Sequence, residues 1–380
     1  MAQQDAFGVA LTAGDGEAVR RYDQAVGQLL ILRNDPVALA DEALAIDPGL
    51  VMAHVLKGVA NILGTERTAL PDAQAALDAA RAVSGGATAR ELGHIAALAA
   101  WIDGRLYDAC AAWEDVLVQQ PDDALAMFSA HQGDFFLGQS SELRDRVARR
   151  LPQIDRGGAL EGYYQGMYAF GLEETGDYAR AEAAAVAAAA SDPRDSWAVH
   201  AGAHVMEMTN RVDDGIAWLT SRVPDWDTDN FFAVHNWWHL SLYHFDRMDW
   251  ARVLDLYDTR VRESRSPAML DTLDASSLLW RLEAHGVAVG ARRWRELADI
   301  AEQRSGDHAW AFADLHHVLC LAAAGRREAL AEMLLGIAGH AAGRGGDVAR
   351  VHEAVGLDAA RGVAAAVGGD AARAERLLSA

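Results

Sequence analysis

Cysteine is nearly absent: Cys110 and Cys320 are the only two among 380 residues. No CxxC occurs, and two such distant thiols do not make the disulfide framework of a small secreted domain. Basic residues are also scarce, 34 Lys and Arg against 55 Asp and Glu, for a formal net charge of −21. That field repels phosphate backbones and anionic lipid, so no nucleic-acid partner is expected. No run of about 18 apolar residues occurs, the length a membrane-spanning helix needs. The N-terminus lacks a basic region followed by an apolar stretch. No membrane association is therefore expected, and the localisation expected is cytoplasmic. HExxH, GxSxG and GxxxxGK[ST] are missing, which removes the usual metalloprotease helix, nucleophile elbow and phosphate loop. Strand-like alternation of Val, Ile, Thr and Tyr is rare.

What is abundant is alanine, as in AEAAAVAAAA at 181–190. Alanine is the best helix former because it has no side-chain entropy to lose. The chain reads as almost wholly helical. Its punctuation is periodic: Pro48, Pro121 and Pro193 lie 73 and 72 residues apart, and Asp177 and Asp249 lie 72 apart. A period near 72 that halves to about 36 marks paired-helix repeats. About ten hairpins follow, starting near Gly16, Leu50, Thr88, Asp123, Ala159, Asp195, Asn230, Leu270, Asp307 and Gly345. Gly176, Asn210 and Gly325 stand where helices end in a left-handed residue. The expected partition is an N-terminal segment 1–15, a repeat domain 16–344 and a capping hairpin 345–380. A flexible break is expected at Gly343–Gly346. One such hairpin cannot bury its own apolar face, so neighbours stack and present an inner surface lined by first helices.

Histidine and tryptophan concentrate in one region. Residues 197–244 hold five of the 14 histidines and five of the 11 tryptophans, so a site there is worth weighing. WAVHAGAHVMEM carries His200 and His204, and FFAVHNWWHLSLYH carries His235 and His239. Residues i and i+4 share a helix face with Cβ atoms about 5–6 Å apart. The pairs are 35 residues apart, one hairpin, so both are expected at the same height on neighbouring first helices. Imidazoles so placed share a metal ion, hold an anion or pass a proton. Glu207 lies on the same side as His204. In the same register come Tyr164 and Tyr168 one unit earlier, then Asp271 and Asp274, then His316. Trp197, Trp237, Trp238 and Trp280 would form apolar walls, with Asn236, Glu161 and Arg281 on the same surface. Plainer readings stand beside this one. Buried histidines often only bond backbone or carboxylate. The tryptophans are foremost packing residues. Asp271 reads as an N-cap, and Asp227 and Asp229 as starters of the next helix.

These segments resemble the tetratricopeptide repeat protein 38 family. The resemblance is carried by GMYAFGLEETGDYARAE, DSWAVHAGAHVMEMTNR, DNFFAVHNWWHLSLYHFD and LDASSLLWRLEAHG, with HNWWHL the most specific element. The family pattern falls on His200, His204, Glu207, Arg211, His235, Asn236, Trp237, Trp238 and His239. Asn210 replaces the glycine common in the family's turn, a position asparagine tolerates. The resemblance implies an all-α, right-handed superhelix of about ten tetratricopeptide-like hairpins, soluble and cytoplasmic. It supports fold more than function, because the family's activity is not settled.

The leading expectation is a binding protein whose inner pocket takes a small molecule or short peptide. His200, His204, His235 and His239 would hold its polar part and Trp237 or Trp238 its apolar part. Tyr164, Tyr168, Glu207, Asn236, Asp274, Arg281 and His316 are the further binding candidates. An enzyme using the same imidazoles, as acid and base or around a transition metal, is the alternative. A plain protein-interaction scaffold is the third reading. An acidic repeat surface of this kind also suits a homo-oligomer.

Overall fold

The computed structural model describes residues 2–33, 35–343 and 345–379. Met1, Arg344 and Ala380, which bound the expected partition or fall in the expected break, lie outside these. Packing divides the chain into two units, one of residues 1–63 and 69–243, the other of 64–68 and 244–380.

The first unit opens with a short antiparallel pair, β1 (Ala2–Gln4) and β2 (Ala10–Thr12), with Gln3 opposite Leu11. Helical hairpins follow: α1 and α2 (Gly16–Leu30, Pro36–Ile46), α3 and α4 (Val51–Ile62, Leu70–Ala82), and α5 and α6 (Ala89–Ile102, Leu106–Gln119). Then come α7 and α8 (Ala124–Phe136, Ser140–Arg150), α9 and α10 (Ala159–Glu174, Tyr178–Ser191), and α11 and α12 (Ser196–Met208, Val212–Ser221). A single turn, α13 (Val223–Trp226), precedes α14 (Ala233–Asp246), which the division crosses after Tyr243.

Local chemistry explains these elements. Asp123 and Asp195 cap α7 and α11 by accepting from the Ala126 and Ala198 amides at 3.0 Å each. The turns after α9 and α11 place Gly176 at φ +82° and Asn210 at φ +55°, as their residue types suggested. The second helix α10 buries five alanines, small enough for close helix packing. The first helices α7 and α11 are buried almost all round, polar residues included. A helix enclosed on both sides has no solvent face, so its histidines are forced inward.

The N-terminal segment belongs to this packing. Arg90 of α5 bonds both Asp5 and Asp123, and Asp123 also meets His94 Nε2 at 2.9 Å. Trp113 Nε1 donates to His94 Nδ1, completing a buried chain of polar groups. Beyond α1, Leu32 O accepts from the Phe231 amide and Arg33 donates to the Asp225 and Thr228 carbonyls. The start of the chain is thereby joined to the loop that leads into α14.

The second unit contains α15 (Trp250–Leu256), α16 and α17 (Met269–Ala284, Ala291–Gln303), and α18 and α19 (Ala311–Ala323, Arg327–Gly343). It ends with α20 (Gly346–Val351), α21 (Leu357–Val367) and α22 (Ala371–Leu378). Wide π-type turns at Tyr257–Val261 and His352–Gly356 follow α15 and α20. Here one expectation is corrected. Asp271 is not an N-cap: α16 begins at Met269, and Asp271 lies in its first turn, where a carboxylate suits the positive end of the helix dipole.

Candidate functional site

Three successive first helices of the first unit, α9, α11 and α14, supply the site. The i, i+4 spacing sets His200 and His204 on one face of α11, and His235 and His239 on one face of α14. These faces meet. His235 Nε2 lies 3.1 Å from His200 Nε2 and 3.2 Å from His239 Nε2. The His204 ring centroid is 4.2 Å from that of His200 and 4.6 Å from that of His239. All four residues offer a nitrogen within 4.8 Å of the others.

The outer nitrogens are held by carboxylates. His239 Nδ1 is 3.1 Å from Glu207 Oε2, and His204 Nδ1 is 3.3 Å from Glu173 Oε2. The two contacts repeat one device: a glutamate in the last turn of a first helix reaches the second histidine of the next. Only Glu207 was singled out from sequence, and as a neighbour of His204 on its own helix. Glu173 was missed, although LEETGD and MEMTNR align Glu173 with Glu207 at 34 residues. His200 Nδ1, in contrast, is buried without a hydrogen-bond partner.

Aromatic rings wall the cluster. Phe170, Trp197 and Phe232 lie 5.5, 5.5 and 4.8 Å from the His200 ring, centroid to centroid. Trp238 stacks on His235 at 5.2 Å with the planes 15° apart. His200 and His239 are each 2% exposed, whereas the His204 side chain is 24% exposed. The environment separates like residues. Burial, then the neighbouring imidazoles, push the His200 pKa well below its ordinary value. Burial acts on His204 too, but Glu173, with Glu207 and Glu174 behind it, outweighs that and raises its pKa.

The other sequence candidates make contacts of their own. Trp237 is buried packing: its indole donates to Asp227 Oδ1 and its ring meets Trp226 edge-on at 4.9 Å. Asn236 is fully enclosed, with neither amide atom hydrogen-bonded. The Tyr164 hydroxyl donates to the Pro121 carbonyl at 3.2 Å, and Tyr168 OH meets Arg180. Glu161 accepts from the Gly157 amide at the start of its own helix. Asp271, Asp274, Arg281 and His316 belong to the second unit. There Arg281 donates to the Ser277 carbonyl, His316 Nδ1 contacts Phe312 O at 2.9 Å, and Trp280 is exposed.

No model of a known protein family matches the chain. Among solved structures it is similar to the Rap protein complexed with competence and sporulation factor, at TM-score 0.50 and 11% identity over 84% of this chain and 96% of that one. It is also similar to the human IFIT1 dimer with PPP-AAAA, at TM-score 0.42 and 13% identity over 97% and 94% of the two chains. The protein is an all-α helical-repeat protein of tetratricopeptide type. At such identity the likeness to Rap defines a fold and no activity. No helix among the described residues is long and apolar enough to cross a membrane.

Proposed function

We propose that this is a helical-repeat binding protein that holds one transition-metal ion at His200, His204, His235 and His239 and takes a small molecule or short peptide beside it. The observation that carries this is the convergence of Nε2 atoms at 3.1 and 3.2 Å. A tetrahedral zinc ion with Zn–N bonds of about 2.0–2.1 Å sets its ligand nitrogens about 3.3–3.4 Å apart. His239 turns Nδ1 to Glu207, which favours Nδ1–H and leaves a lone pair on Nε2. Lone pairs crowded this closely repel unless a proton or a metal ion lies between them. An all-imidazole donor set suits zinc, copper, nickel or cobalt rather than magnesium or calcium. Glu173, Glu174 and Glu207 supply compensating negative charge. His204 and His235 are the half-buried members of the cluster, and Trp238 and Phe232 offer apolar contact to a bound molecule.

A second reading rests on a separate observation: His200 is depressed and His204 raised, with the two rings in contact. Environments that push the pKa values of paired groups apart are how acid and base roles are divided. It would make the pocket a metal-free hydrolase or lyase site. The finer sequence readings are also part of this proposal: membership of the tetratricopeptide repeat protein 38 family on HNWWHL, and a cytoplasmic location, in keeping with two buried free thiols.

Metal analysis of tag-free protein after zinc loading and gel filtration decides between the two readings. The substitutions His204→Ala and His239→Ala together should remove one equivalent of zinc and leave the helical circular dichroism unchanged. Glu207→Gln should weaken binding about 10–100-fold, as loss of an outer-shell partner does. Zinc content unaffected by the histidine pair, or unfolding of that variant, would contradict the metal reading.

A further inference from the structure

The second unit carries another convergence of donor atoms. His308 Nδ1 lies 3.0 Å from Asp314 Oδ2, and His352 Nε2 lies 2.8 Å from the same oxygen. Donor atoms of these three residues all fall within 4.8 Å of one another. Asp314 and His352 are each 1% exposed. His340 completes a ring of imidazoles, stacked on His308 at 5.4 Å with planes 17° apart and edge-on to His352 at 5.5 Å.

The surrounding backbone is shaped around these rings. His308 sits at φ +44°, a left-handed conformation uncommon for a residue with a side chain. His352 opens the π-type turn His352–Gly356, a widened turn frequent at functional sites. A Cβ on Gly336 would come within 2.7 Å of His308 Nε2, and one on Gly356 within 2.6 Å of His352 Nδ1. Two glycines therefore make room for two imidazoles. His340 Nδ1 and His352 Nδ1 are buried with no hydrogen-bond partner. A plain Asp–His packing contact needs none of the wide turn, the left-handed histidine or the third ring.

We propose that His308, Asp314 and His352 form a second transition-metal site that ties the turn after α20 to α18. Adjacent ligands at 90° around a metal with bonds of about 2.1 Å lie about 3.0 Å apart, close to the spacings present. Two imidazoles and one carboxylate suit zinc, iron(II), cobalt or manganese. The site is smaller in protein donors than the four-histidine cluster, so at least one position remains for water or a ligand atom. Its elements are a loop residue, a first helix and the C-terminal segment, so binding should stiffen the end of the chain.

Cobalt(II) titration of full-length, tag-free protein tests the proposal, read by visible absorption and by thermal unfolding. The His204→Ala/His239→Ala variant silences the first cluster and should still bind one equivalent, with a higher Tm in the presence of cobalt. Adding His308→Gln and His352→Gln should abolish both the spectrum and the Tm rise while the metal-free protein stays helical. Asp314→Asn checks the carboxylate and should weaken binding at least 10-fold. The proposal is overturned if the first variant binds no cobalt, or if its equivalent persists unchanged after the glutamine substitutions. Should the glutamine variant fail to fold, Asp314→Asn alone and the binding of the first variant decide. Failure of the four-histidine reading would appear differently, as wild type and the His204→Ala/His239→Ala variant binding the same single equivalent.

Discussion

At Asp195 a carboxylate does two opposed things. It caps α11 through the Ala198 amide, and it is almost fully buried. Burial pushes its pKa up from 3.8 to about 7, against the pull of its backbone hydrogen bonds. The native state therefore holds a proton that the unfolded chain has released, from about pH 4 to pH 7. Stability contributed at this site falls as pH rises through that window. An asparagine in its place would keep the cap and carry no charge. The substitution Asp195→Asn should stabilise the protein against urea more at pH 8 than at pH 5, by on the order of 2 kcal/mol; an effect equal at the two pH values would show that the carboxylate is not desolvated. The histidines teach the same lesson. Their positions were legible because i, i+4 spacing is local and survives any packing. Their separate characters were not, because these come from Glu173, Phe170 and burial, and only packing assembles those. Trp237 and Trp238 are adjacent letters, yet one donates to Asp227 and the other stacks on His235.

Each hairpin depends on how its first helix ends. After α14 the Met248 amide bonds Phe245 O and the Asp249 amide bonds His244 O, the same closing pattern that Asn210 and Arg211 make after α11. Met248 adopts φ +56° with its side chain exposed. A side chain in that conformation costs about 1–2 kcal/mol, and glycine avoids the cost at some loss of chain entropy. Met248→Gly should therefore raise the urea midpoint by an amount equivalent to about 1 kcal/mol; a lower midpoint would mean that Met248 makes contacts the turn depends on. Hairpin starts near Gly16, Leu50, Thr88, Asp123, Ala159, Asp195 and Asp307 were readable because caps and turns are written locally. The turn α13, the two π-type turns and the β1–β2 pair were not. AQQ and ALT are too short and mixed to signal strands, and π-type turns have no residue signature. Asp271 was misplaced because α16 starts without any side-chain cap, at Ala268.

For the whole molecule, sequence register is blind to where packing divides. By period alone Tyr164, His200, His235, Asp274 and His316 belong to one strip, but Asp274 and His316 fall in the second unit. What remains is compact: three adjacent first helices, four imidazoles, and carboxylates that back two of them. A net charge of −21 favours cation capture over binding of anions. The central claim is that four imidazole nitrogens share one point. X-ray absorption at the zinc edge addresses it directly, on tag-free protein with His308→Gln and His352→Gln, loaded with one equivalent at pH 8. The account expects a first shell of four imidazole nitrogens at about 2.0–2.1 Å. A shell with fewer than four imidazoles, or protein that retains no zinc, would contradict it.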